Sequence, residues 1–148
     1  MDKAKVHEAA LTIVNEKIAN AICLIDEAQE AANNDTKSSA GDKHETSRAM
    51  AMLEKDKAAS QLAAANKLQQ ILAKLNPMIK SKTIGFGSLV KANNVWFYVS
   101  VGIGRIKVSG SEVFCISLAS PIGQVFLGKQ VSESISFNDG TFEIEELV

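Results

Sequence analysis

The sequence predicts an α+β protein in which an N-terminal antiparallel coiled-coil helical hairpin, residues 1–78, precedes a small sheet domain, residues 79–148. Three observations predict it. All eight aromatic residues lie beyond residue 85, eight of the nine glycines lie beyond residue 81, and 17 alanines fall within the first 80 positions. Alanine is the strongest helix former, whereas aromatic and β-branched residues suit strands. Pro77 stands where the helical part would stop.

The first helix is read from Leu11, Val14, Ile18, Ala21, Ile25, Ala28 and Ala32, which alternate three- and four-residue steps, with Ala4 and His7 extending the series backwards. The stretch from Asn33 to Gly41 is rich in turn and cap formers. A second helix, about residues 43 to 75, takes its seam from Leu62, Ala65, Leu68, Leu72 and Leu75, with Met50 and Leu53 extending it less regularly. Two such helices of roughly 32 residues would each run about 48 Å. Neither seam can bury itself alone, so the pair is expected to fold back on itself. Small Ala28, Ala32 and Ala49 lie near the turn, which should leave that end slim.

Five strands are expected beyond the boundary: Ile84 to Val90, Val95 to Val101, Val113 to Leu118, Ser134 to Phe137 and Phe142 to Leu147. The last alternates apolar and acidic residues with a one-residue slip at its end, and Asn138-Asp139-Gly140 is a hairpin turn before it. Ser120-Pro121 should open one helical turn, with Ser120 as N-cap.

Composition excludes several functions. Sixteen basic against seventeen acidic residues give a net charge of −1, without the basic excess of a DNA-coating protein. An apolar content of 46% excludes an extended disordered chain. No apolar run of about 18 residues suggests a membrane span, and the charged start Met1-Asp2-Lys3-Ala4-Lys5 suggests no signal peptide. Cys23 and Cys115 form no disulfide or zinc pattern and are expected to pack in the interior. A cytoplasmic protein is the simplest expectation. With only His7 and His44, no nucleophile–histidine pair stands out, and the paired glycines at 85/87 and 102/104 fall short of a phosphate-binding fingerprint. The chain is therefore not expected to be an enzyme by itself, nor to carry a cofactor of its own.

Gly41-Asp42-Lys43-His44-Glu45 remains. Asp42 and Glu45 are three residues apart, so a helix places them on one side. One reading is a capping box, with Asp42 as N-cap. The other is a pair of oxygen ligands offered to Mg²⁺ in another protein's active site, since Mg²⁺ is often held by one or two carboxylates plus phosphates and water.

These residues resemble those of the bacterial GreA/GreB family of transcription elongation and transcript-cleavage factors, whose helical tip carries Gly-Asp-x-x-Glu. The likeness extends to Ser120-Pro121-Ile122 through Leu127-Gly128-Lys129 and to Ile84-Gly85-Phe86-Gly87-Ser88, and it spans nearly the whole chain. It implies an FKBP-like C-terminal domain and RNA polymerase as partner. The hairpin would enter the secondary channel, and Asp42 and Glu45 would help hold an Mg²⁺ shared with the polymerase. Cleavage of backtracked RNA would follow, with indirect contact to the nascent RNA 3′ end, no sequence-specific DNA binding and no membrane. The family's tip continues in an acidic run ending in Tyr, whereas this chain has Thr46-Ser47-Arg48-Ala49 after Lys43 and His44. That departure leaves open a non-cleaving secondary-channel regulator, and the cap reading leaves open a coiled-coil structural adaptor.

Overall fold

A computed structural model describes residues 1–35 and 41–148, with the side chains of 35–44 outside that description. Two long helices, α1 (Lys3–Asp35) and α2 (Gly41–Ala73), precede β1 (Leu89–Ala92), β2 (Val95–Ser100), β3 (Gly104–Val108), β4 (Ser111–Ser117), α3 (Pro121–Phe126), β5 (Ser134–Phe137) and β6 (Gly140–Leu147). The expected α+β class, a helical hairpin and then a small sheet, is what forms. The helices run through Asn33 and Asn34 on one side and start at Gly41 on the other, and the centre of the expected turn, 36–40, lies outside the described residues. By backbone proximity the chain divides into two compact units, Ile13–Gln69 and Met1–Thr12 with Gln70–Val148.

Within the 13–69 unit the α1 seam is the one its spacing predicts: Val14, Ala21, Ala28 and Ala32 are buried, and Ile18 and Ile25 are half-buried. On α2, Ala58 and Ala65 are buried and Leu62 and Leu68 half-buried. Met50 and Leu53 do not extend this seam; they are 62% and 68% exposed, and Ala49 is exposed as well. Strict three–four alternation instead continues through Ala58, Lys55 and Ala51, the last two half-buried. Periodicity overrides side-chain size, because a helix cannot turn a bulky residue inward off its phase. Two side-chain bonds fix the direction of pairing. Gln69 Nε2 donates to Asn15 Oδ1 at 2.7 Å, and Lys55 Nζ donates to Gln29 Oε1 at 2.5 Å. Moving from one bond to the other covers equal steps in opposite senses along the two helices, so they are antiparallel.

The other unit is built on a six-stranded sheet in the order β3-β4-β2-β1-β6-β5, antiparallel except where β2 runs parallel to β4. Its three tight hairpins, at Asn93-Asn94, Ser109-Gly110 and Asn138-Asp139, have positive φ at both central residues, the twist that two-residue hairpins favour. The expected slip in the last strand is real. Ala92 faces Ile144 while Lys91 faces Glu146, leaving Glu145 as a bulge. β3 was not expected, because the glycines at 102 and 104 outweighed the Ile106/Val108 alternation after them. The strand expected from Ile84 begins only at Leu89. Gly87 sits at φ +90°, with Leu75 Cδ2 2.7 Å from where its Cβ would lie, a conformation and a contact that exclude a regular strand.

Both faces of β2 are covered. On one face Phe97 and Val99 join Val90, Ala92, Ile135 and Ile144 beneath Phe126 of α3, with the Phe97 and Phe126 rings 5.2 Å apart. On the other, Tyr98 is fully buried and its hydroxyl lies 2.8 Å from His7 Nδ1 at the start of α1, where Val6 and Ala10 are also buried. Lys3, one turn earlier, is buried and donates to the carbonyls of Ile79 and Val148. Burial lowers its pKa, and Lys80 lowers it further.

α3 starts as expected, Ser120 accepting the N–H of Gly123. A Cβ on Gly123 would fall 2.2 Å from the Ser117 carbonyl oxygen and 3.0 Å from Leu118 Cα. Gly123→Ala should therefore cost about 2–3 kcal/mol, read as a lower urea midpoint. A pH dependence follows from His7, whose pKa burial lowers. Below about pH 6.5 the unfolded imidazole binds a proton that the folded one refuses, so stability falls as pH drops from there through the folded pKa. Wild type should lose more Tm than His7→Gln on acidification, with the gap opening only below about pH 6.5.

Candidate functional site

Asp42 and Glu45 fall at the second and fifth residues of α2, at the end of the hairpin where the two helices are connected. Helical backbone is present from Gly41, one residue before Asp42, and the side chain on which the capping-box reading turns lies outside the described residues. The side chains of Asp42, Lys43 and His44 lie outside the described residues. Glu45 and Arg48 are exposed. From Ile13 to Asp35 α1 runs about 34 Å at 1.5 Å per residue, so within this unit the motif stands at the opposite end from Ile13 and Gln69.

The chemistry this allows is narrow. Two carboxylates in successive turns of one helix supply oxygen donors suited to a hard cation, but too few to enclose one. Among the described residues no group of three or more His, Cys, Asp or Glu side chains could hold a metal ion. A partner must complete any site here.

Neither cysteine has the lowered pKa of an activated thiol. Cys115 is buried in β4 as expected, and burial pushes its thiol up to about 12. Cys23 is not packed inside. It is exposed on α1, where the hydrogen bond of Sγ to Glu27 Oε1 at 3.5 Å, and then the Glu27 charge, raise its pKa. Its position lies outside the three–four seam, which is why size and polarity alone misplaced it. A protonated thiol beside a carboxylate is a poor nucleophile.

The two C-terminal segments singled out in the sequence are brought together. Gly128 N–H donates to the Ile84 carbonyl, and Ile84 N–H donates to the Lys129 carbonyl, both at 2.8 Å. Gly128 has φ +79°, which the reversal after α3 requires. Ser88 Oγ then accepts the Gly85 N–H at 3.0 Å. These motif residues shape the chain's entry to the sheet. Sequence reasoning missed Lys55, whose signal was its place in the strict alternation, and the Lys3 contacts, for which no local signal exists; His7 lay on the expected α1 series, but nothing local named Tyr98 as its partner.

No family model matches the chain, and no curated protein matches it. A solved structure described as that of the transcription factor Gfh1 is similar to it at 19% identity and a TM-score of 0.38, over 94% of this chain and 93% of that one. No helix among the described residues is long and apolar enough to cross a membrane.

On α2, half-buried Lys55 occupies a position of the three–four alternation, beside Gln29 of α1. A polar side chain at such a position sets register at a cost in stability. Lys55→Leu should raise the urea midpoint of the helical signal, by about 1 kcal/mol of stability.

Proposed function

We propose that this chain is a Gre-type RNA polymerase-binding elongation factor, not an enzyme by itself, whose hairpin enters the secondary channel and stimulates the polymerase's own cleavage of backtracked RNA. The observation that carries the reading is the position of Gly41-Asp42-x-x-Glu45, which opens the second helix of an antiparallel pair at its connecting end. A narrow two-helix rod with an alanine-rich seam suits a confined passage.

Asp42 and Glu45 fit an Mg²⁺ shared with the polymerase by the chemistry of their oxygen donors and by being too few to retain it alone. When bound, such an ion lowers the pKa of a water and steadies the oxygens of an in-line displacement at phosphorus. This chain's part is to bring two anionic side chains to that place, orient them from the first turns of a helix, and exclude bulk water with the rod behind them.

A second reading, channel occupancy without cleavage, is supported by exposed Arg48 one turn beyond Glu45, which repels a cation. A coiled-coil adaptor is supported by a groove of about 320 Å³ between Leu24, Ala28 and Ala31 on α1 and Ala51 and Ala58 on α2.

Polymerase stalled in a backtracked state separates these readings. With cleavage, wild type releases short 3′ RNA fragments, and Asp42→Asn or Glu45→Gln reduces the rate at least about tenfold at unchanged Tm. Binding with no fragments favours the occupancy reading. No binding to polymerase overturns both and leaves the adaptor.

A further inference from the structure

Residues 57–111 contain eight basic side chains and no acidic one, in a chain whose net charge is −1. Three of these bases, Lys74, Lys80 and Lys82, lie between α2 and β1 and are exposed. The same connection exposes three large apolar side chains, Met78 at 76%, Ile79 at 64% and Phe86 at 47%. Single exposed apolar residues are ordinary, but three in one short segment amid matching charge call for a cause.

The segment is held in place. Asn76 Oδ1 accepts the Met78 N–H at 3.0 Å, the Asn76 carbonyl accepts the Ile79 N–H at 3.2 Å, and the buried Lys3 ammonium donates to the Ile79 carbonyl. The backbone is tied inward while the Met78 and Ile79 side chains stand outward, so little order remains to be imposed on binding. Two shallow depressions border them. One of about 200 Å³ is lined by Lys74, Ile79 and Phe86, the other of about 230 Å³ by Met1, Met78, Lys3 and Lys80 with Asp2 at its side.

We infer that Met78, Ile79 and Phe86, framed by Lys74, Lys80 and Lys82, form a docking surface for a protein segment that flanks apolar side chains with carboxylates. On the reading proposed above, on which this inference rests, that segment belongs to RNA polymerase. A nucleic-acid backbone would satisfy the lysines and leave the apolar side chains in water. The acidic Glu143, Glu145 and Glu146 of β6 could meet the lysines of a second copy, but two unlike patches make a head-to-tail contact that need not close. A bilayer is better served by a continuous amphipathic helix than by turns.

Binding of the full chain to core RNA polymerase tests this with two double variants, Met78→Ser with Ile79→Ser and Lys80→Glu with Lys82→Glu. All four positions are exposed, so both variants should keep the wild-type Tm. Each pair should weaken binding at least about tenfold. Added salt should weaken the wild-type complex more than that of the glutamate pair, because only wild type has those charges to screen. Wild type that binds while both variants bind equally well overturns this inference and leaves the proposed function standing. Wild type that does not bind polymerase overturns both. Variant-sensitive binding to phosphatidylglycerol vesicles or duplex DNA, or variant-sensitive self-association, with polymerase binding unaffected by the variants, overturns it in favour of those partners.

Discussion

Burial of both faces of β2 is the constraint on which the sheet unit depends. A single sheet of this size has one face to spare for water, yet Phe97 and Val99 on one side and Tyr98 on the other are all withdrawn from solvent. Six residues of α3 cover the first face, and Gly123 permits their approach. The second face is covered by residues remote in sequence, from the first turns of α1. Two polar groups are buried with them, His7 against Tyr98 and Lys3 against backbone carbonyls. Satisfied in this way they cost little, and they fix the helix start in one position where apolar contacts alone would tolerate sliding.

Local features were legible in the sequence wherever one physical rule acted alone. Asn138-Asp139 tolerates positive φ and forms the turn; Ser120-Pro121 suits a helix start, and forms one. The slip in the last strand was visible as broken alternation and is a bulge. Errors arose where two rules competed. Met50 and Leu53 looked like core by size but lay off the helical phase, and β3 was hidden by its flanking glycines. Contacts such as Lys3 with Val148 leave no local trace, because nothing in either segment encodes the other.

The candidate site was legible in a different sense. Residue types and spacing identified Asp42 and Glu45, and both fall in the first turns of α2. What spacing cannot supply is the remainder of a coordination shell. Two ligands on one helix are by nature incomplete, so the meaning of the pair is set by whatever meets it. Fold alone cannot decide that question, since one architecture serves many functions.

Averages conceal what matters for association. Residues 1–80 hold eleven acids and eleven bases, and the chain as a whole is nearly neutral. Residues 81–148, the other half, hold six acids and five bases. The acid-free stretch from 57 to 111 crosses the boundary between those halves and so vanished from both sums. At physiological salt, charges act over about 8 Å, far less than the size of this protein, so the local arrangement governs encounter and the total does not. Lysines spread over such a stretch would steer only weakly by themselves. Where a fixed turn sets Lys80 and Lys82 beside Met78 and Ile79, long-range attraction and short-range burial act at one place, and that combination distinguishes a recognition surface from a merely basic one.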